Sequence, residues 1–246
     1  MRTDVARMVF TEAPLPVEIS GPLTLSDHRE DAMVSAETTD ADFLEFNQNW
    51  MKAVFPHLVN GGLLGSFIDW RGLPMVYAAA TTLGLVPIDL VVWAKTRAGT
   101  GSLYRSQHKL LPLFKKGTAE HVNSIDLGKP GRHRTNLWTY PATSVGSDVP
   151  GRQDDPTVKS ASMLEDALGD LTNRGEIVLD PFLGSGSTLI AAQNTGRVCC
   201  GVELDPLYVD LIIRRYEASI GIAAILADSG ETFEQVATRR RGNERR

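Results

Sequence analysis

The sequence predicts an α/β fold, a mostly parallel sheet covered on both faces by helices. Three observations predict it. Short apolar runs alternate with helical periodicity at both ends of the chain, as parallel strands joined by crossover helices require. Of the 246 residues, 42% are hydrophobic and 22% charged, which supports one substantial core and excludes a disordered or collagen-like chain. A turn with two glycines sits between a strand and a helix, the place where open α/β sheets bind ligands.

Each element follows from local pattern. Residues 6–11 read as a short buried strand stopped by Pro14 and Pro16, and residues 16–38 as irregular and polar. Residues 40–55 carry Phe43, Trp50 and Val54 on one stripe, which predicts a helix ending near Pro56. Gly61 and Gly62 read as a turn before a strand over 63–68. A helix over about 73–83 stops at Gly84, and 88–93 is another buried strand. Residues 94–141 lack long periodic runs and predict one strand, 109–114, among long loops, with a further loop over 142–155. Loops of that length inside a domain are usually functional. Met163, Leu164, Leu168 and Leu171 mark a helix closed at Gly175. Then come a strand over 176–179, a turn over 181–186, a helix over 187–195 capped by Gly196, and a strand over 198–202. Asp205 and Pro206 supply an N-cap and a first helical position for a helix to about Ser219. Residues 223–226 read as a last strand, and the arginines at 239–241, 245 and 246 as a frayed terminus.

The formal charge of −5 argues at first against a nucleic-acid partner. Its distribution argues the other way. Residues 1–92 carry 5 basic and 12 acidic side chains, residues 93–141 carry 9 and 2, and residues 142–246 carry 11 and 16. A basic middle between acidic flanks is an electrostatic footprint for an anionic partner. The longest apolar stretches, such as 222–227, fall short of the ~20 residues of a membrane span. Asp4 and Arg7 interrupt any secretory signal, so a cytoplasmic protein is expected. Cys199 and Cys200 are adjacent, point to opposite faces of a strand, and read as small core residues rather than a disulfide or a metal site.

Most of the chemistry lies in residues 178–188, Val-Leu-Asp-Pro-Phe-Leu-Gly-Ser-Gly-Ser-Thr. A strand delivers Asp180 to its carboxyl end, two glycines allow a tight turn, and a helix N-terminus follows with unpaired N–H groups. The next strand ends at Glu203, where an acid can accept hydrogen bonds from both hydroxyls of a ribose. Leu189 stands where a dinucleotide fingerprint needs a small residue, and Ser187 follows Gly186 where a P-loop needs lysine. A nucleoside ligand without a pyrophosphate fits.

This run, with Gly-Val-Glu-Leu-Asp-Pro-Leu-Tyr at 201–208, resembles the β-class amino-methyltransferases of DNA. Pro-Thr-Val-Lys at 156–159 and the stretches at 93–96, 104–108 and 134–138 are similar to the same class, so the resemblance spans nearly the whole chain. It implies a single domain with a Rossmann-like methyltransferase fold in permuted order, catalytic half first and cofactor half last. It implies S-adenosylmethionine as cofactor, held by Asp180, Phe182, Gly184, Gly186, Ser187 and Thr188, with Glu203 on the ribose and Thr157 and Lys159 near the amino-acid end. No metal is expected. Double-stranded DNA is the implied partner, a homodimer is compatible with it, and residues 94–155 become the target-recognition region. Within it Lys95, Arg97, Arg105, Lys109, Arg132 and Arg134 are candidates for phosphate contact, with Lys115, Lys116 and Lys129 behind them and Tyr104 and Trp138 for stacking.

The catalytic tetrapeptide of that family, Asp/Asn/Ser-Pro-Pro-aromatic, falls here on Glu12-Ala13-Pro14-Leu15. Glu12 keeps the acceptor with one extra methylene, a displacement on the order of 1 Å that can change a rate about 10²-fold. Ala13 keeps a carbonyl without proline's fixed φ. Leu15 replaces a stacking ring worth roughly 1–3 kcal/mol. Two readings stand: methylation of an exocyclic amine, adenine N6 ahead of cytosine N4 because position 12 stays acidic, or a homologue that binds cofactor or DNA as a regulatory or specificity subunit without turnover. Methylation of RNA, protein or a small molecule is a third. Asp69 and Arg71 read equally as site residues or as a surface ion pair.

Overall fold

The structure, a computed structural model, describes residues 5–14, 39–99, 103–125, 134–141 and 159–243. In chain order its elements are β1 (Ala6–Thr11), α1 (Asp40–Val54), β2 (Leu58–Ser66), α2 (Leu73–Thr82), β3 (Leu85–Lys95), β4 (His108–Lys116), β5 (Leu137–Tyr140), α3 (Ala161–Leu171), β6 (Ile177–Asp180), α4 (Ser187–Asn194), β7 (Val198–Gly201), α5 (Pro206–Ile220) and α6 (Phe233–Asn243). The seven strands form one sheet in the order β5-β3-β4-β2-β1-β6-β7. Every pairing is parallel except those of β4, which runs antiparallel to both β2 and β3.

β1 is central because its side chains are apolar on both faces. Met8 and Phe10 enter one core with Leu111, Val178 and the α3 residues Met163, Leu164 and Leu168. Val9 and Ala13 enter the other, with Phe43, Trp50 and Met51 of α1 and Val76, Ala79 and Ala80 of α2. Period-two alternation in the strand thus divides the helices between the two faces. α1 begins at a capping box in which the Thr39 hydroxyl accepts the Asp42 N–H at 3.2 Å and Asp42 accepts the Thr39 N–H at 3.0 Å. Buried Asn47 answers its own polarity, donating to the Phe43 carbonyl at 2.7 Å and accepting from the Trp50 indole at 3.0 Å.

Several expectations are corrected. Gly61 and Gly62 lie inside β2, not in a turn before it. The β1–β2 register jumps from Ala6↔Leu58 to Met8↔Leu63, so extra residues of β2 bulge there. Gly61 has φ +80, and a Cβ on it would lie 2.3 Å from the Glu120 carbonyl oxygen, so the glycines serve a bulge. β3 starts at Leu85, earlier than its apolar run, because it pairs with β4 along its length. β5 was read as loop: it has four residues at the sheet margin and only two half-buried side chains, too short to carry a periodic signal. Residues 223–226 form no strand, only a bridge between Ile225 and Thr232. β7 is consequently the last strand, exposed at three of its four positions, and Cys200 is exposed rather than in the core. The frayed terminus is instead α6 through Asn243, with Arg239 paired to Glu231 at 2.9 Å. The loop expected over 142–155 lies outside the described residues.

Among the described residues no helix is long and apolar enough to cross a membrane, and no cluster of His, Cys, Asp or Glu could hold a metal ion. Ser66, opposite Thr11 at the end of β2, is 1% exposed, and its hydroxyl has no partner among them. A buried hydroxyl without a hydrogen bond costs about 1–3 kcal/mol. Ser66→Ala should therefore raise stability by roughly 1 kcal/mol in urea unfolding; a loss of that size would show that the hydroxyl is bonded.

Candidate active site

Parallel strands β1, β2 and β6 end at one edge of the sheet, and antiparallel β4 begins there. That topology brings together Glu12 just past β1, Asp180 at the end of β6 and Lys109 near the start of β4. Lys159, two residues ahead of α3, joins them.

Glu12 is the hub. Its Oε1 accepts a charge-assisted hydrogen bond from Lys109 Nζ, and its Oε2 pairs with Lys159 Nζ at 2.5 Å. The side chains are largely enclosed, Glu12 at 15%, Lys159 at 17% and Lys109 at 20% exposure. Lys159 also stands over the Phe67 ring, 5.3 Å from its centroid. Two ammonium groups, Lys109 and Lys159, stand here against the two carboxylates of Glu12 and Asp180. Ala13 is buried in the core beneath α1 and α2, and Pro14 is exposed.

Asp180 is 3% exposed and hydrogen-bonded throughout. The Thr11 hydroxyl donates to its Oδ1 at 2.6 Å and the Phe182 N–H at 3.2 Å, and the Thr188 hydroxyl bonds to it as well. Burial pushes its carboxyl up, against the opposing pull of Thr11, Thr188 and the nearby Lys159 charge.

The glycine loop is braced from several sides. Glu203 accepts the Gly184 N–H at 2.8 Å and the Asp205 N–H at 3.0 Å, one on each oxygen. A carboxylate has about four acceptor sites, so Glu203 retains capacity for two more donors. Phe182 packs edge-on against Trp50 at 5.7 Å and against Phe46 at 5.9 Å. The Arg215 guanidinium donates to the Ser185 carbonyl. Gly186 caps α4 at φ +78, and a Cβ there would lie 2.9 Å from Ile212 Cγ2, so only glycine fits between the loop and α5. The result is a crevice lined by Glu12, Lys159, Asp180, Phe182, Ser187 and Thr188 with the loop 183–185. Glu203 does not line it; in this structure it holds the loop. The orphan N–H groups of the α4 N-terminus and the partial positive charge there suit a polar ligand.

Expected site residues divide accordingly. Glu12, Lys159, Asp180, Phe182, Gly184, Ser187 and Thr188 share the crevice, with Gly186 behind it. Leu15, Thr157, Lys129 and Arg132 lie outside the described residues. Lys109 is half-buried against Glu12 instead of on the outer surface. Arg134 pairs with Asp166 at 2.8 Å and Asp170 at 3.0 Å and donates to the Tyr140 hydroxyl at 3.0 Å, tying β5 to α3. Lys116 donates to the Phe55 and Leu58 carbonyls, both at 2.6 Å. Arg105 donates to the Ala98 carbonyl at 2.6 Å within its own loop, and Lys95 sits 5.3 Å from the Trp93 ring centroid. Arg97 and Tyr104 are exposed, whereas Trp138 is half-buried against Tyr140 and the core. Asp69 and Arg71 form a local pair at 3.4 Å, with Arg71 stacked on exposed Trp70. Sequence reasoning missed the pairing of both lysines with Glu12. It depends on the antiparallel direction of β4, which no local pattern encodes.

A mostly parallel sheet with a glycine loop opening a helix at its carboxyl edge, and with the half that bears Glu12 first in the chain, is the Rossmann-like methyltransferase fold. The chain belongs to the DNA methylase family, whose model matches residues 6–214. It is similar to the type II methyltransferase M2.DpnII of Streptococcus pneumoniae, 25% identical over 89% of this chain and 85% of that one. Among solved structures it resembles the cytosine-N4-specific PvuII DNA methyltransferase, with a TM-score of 0.70 at 14% identity over 87% of this chain and 81% of that one. It also resembles M1.HpyAVI in its complex with SAM, with a TM-score of 0.61 at 20% identity over 86% and 89%. At these identities the structural likenesses concern the fold.

Gly186→Ala should destabilise the protein by about 1–2 kcal/mol, the cost of a left-handed non-glycine residue, with Ile212 adding to it; an unchanged urea midpoint would show that the loop relaxes freely. Arg134→Met should cost roughly 1–2 kcal/mol of stability and leave the salt dependence of DNA binding unchanged. A salt slope shallower by about one would put Arg134 on a phosphate instead.

Proposed function

We propose that this protein transfers a methyl group from S-adenosylmethionine to an exocyclic amine of a base in double-stranded DNA, adenine N6 ahead of cytosine N4. The observation that carries this reading is the shared crevice. One opening is lined both by the glycine loop with Asp180 and by Glu12, so a nucleoside-type cofactor and a base amine would meet there.

The residues present fit the cofactor. The α4 N-terminus offers N–H donors at the crevice, and Glu203 keeps two acceptor sites beyond those spent on the loop. When bound, S-adenosylmethionine supplies a methyl group already activated by its sulfonium. The chain's own residues do the rest. Phe182, wedged against Trp50 and Phe46, fixes the wall of the crevice. Lys159 contributes positive charge near the amino-acid end. A target base reaches the crevice only by leaving the duplex stack. Glu12 and the Ala13 carbonyl then accept its amine hydrogens, which draws the nitrogen lone pair out of conjugation with the ring. The acid at position 12 is the ground for placing adenine first. The chain acts as one domain, with exposed groups of the basic segment such as Arg97 and Tyr104 facing the DNA.

One observation favours the second reading, a homologue that binds cofactor or DNA without turnover. Each oxygen of Glu12 carries a lysine, so two ammonium groups offset the carboxylate charge toward which a base amine would donate.

Transfer of tritium from labelled S-adenosylmethionine to duplex DNA of varied sequence, beside cofactor calorimetry, separates the two. Incorporation into adenine N6 is expected. Cofactor binding without incorporation would establish the second reading, and binding of neither cofactor nor DNA by folded protein would overturn both. Glu203→Ala should weaken cofactor binding about 10–100-fold, the loss of charge-assisted hydrogen bonds; unchanged affinity would remove Glu203 from the cofactor site.

A further inference from the structure

Lys109 and Lys159 each hold one oxygen of Glu12, yet their settings differ. Lys159 lies over the Phe67 ring and lines the crevice. Lys109 stands at the beginning of β4, beside exposed His108 and the exposed segment 103–107. Its backbone is fixed, because Leu110 next to it exchanges two 2.8 Å hydrogen bonds with Ile68. Any departure of Lys109 from Glu12 is therefore a side-chain rotation and leaves the sheet intact.

We propose that Lys109 is a latch on Glu12. Its ammonium offsets the charge on the oxygen to which a base amine would donate and so weakens that acceptor, and DNA releases it by offering a backbone phosphate in place of the carboxylate. This rests on the methyl-transfer reading above. A hydrogen bond between an ammonium and a carboxylate is roughly twice as strong as one between neutral groups, so a neutral base amine does not displace Lys109 unaided. A phosphate can, because it presents a full negative charge on two unesterified oxygens, a partner equivalent to the carboxylate. The exposed segment 103–108 beside Lys109 leaves that side of the corner open to a phosphate. Once Lys109 has turned away, Lys159 and Glu12 remain as a neutral pair with Oε1 open. Lys109 is a positioning residue in this scheme, acting on the reaction through Glu12.

The test compares wild type with Lys109→Met, Lys109→Arg, Glu12→Gln and the double variant E12Q/K109M. Lys109→Gln stands in should the methionine variant fail to fold. Each is measured for cofactor affinity by calorimetry, for single-turnover methyl transfer to duplex DNA, and for the salt dependence of DNA binding. Lys109→Met should raise the transfer rate about tenfold or more, with cofactor affinity unchanged and a salt slope shallower by about one. Lys109→Arg, which keeps the ion pair, should match wild type. In the E12Q background the methionine substitution should bring no gain. A Lys109→Met protein that binds cofactor and transfers methyl no faster than wild type would overturn the latch while leaving the methyl-transfer reading to its own assay. An equal gain in the E12Q background would also overturn it. Failure of every protein to bind cofactor is the distinct result that defeats the underlying reading, and the latch with it.

Discussion

The seam between β1 and β6 carries the rest of the structure. Two stretches 169 positions apart meet there, and their backbone ladder contributes only the pairs Met8↔Val178 and Val9↔Leu179. Side chains extend it at both ends. Arg7 pairs with Glu176 at 2.9 Å on one side, and the Thr11 hydroxyl reaches Asp180 at 2.6 Å on the other. The second bond is buried, which makes it stronger and makes any loss of its partner costly. It also fixes the relation between the residue before Glu12 and the residue that opens the glycine loop. The two halves of the site are held in register by one hydroxyl and one carboxylate.

Electrostatics at that edge follow from topology rather than from composition. The chain is acidic overall, yet two lysines meet two carboxylates at the crevice corner, one of them because β4 runs against its neighbours and brings it into a row of strand ends. Much of the basic middle segment works inside the fold. Arg134 joins β5 to α3, Lys116 binds two carbonyls, and Arg105 ties its own loop. A count of charge along the sequence locates a basic region; only the fold separates charges spent on structure from those left for a ligand.

What could be read beforehand followed the range of the signal. The glycine turn, Asp180, the helix caps and the strand over 6–11 depend on neighbours within a few residues, and their local chemistry was visible. β5 and the bulge at Gly61 depend on which strand lies alongside, so the same residues looked like loop and turn. The Arg134 cluster and the two lysines on Glu12 join side chains far apart in the chain, Lys109 and Glu12 by 97 positions. Glu12 itself was identified through a family pattern from which it departs. Its engagement by both lysines was beyond any pattern of spacing.

The bare flank of the sheet has a practical consequence. Cys200 is exposed on β7, while its neighbour Cys199 is largely enclosed and burial pushes its thiol well up, toward the unreactive neutral form. The protein thus carries one accessible thiol among its two. It lies beside Gly201, whose missing side chain leaves the space filled by Leu183 of the glycine loop. A fluorophore attached at that sulfur would be a native reporter of loop ordering, with no engineered cysteine required.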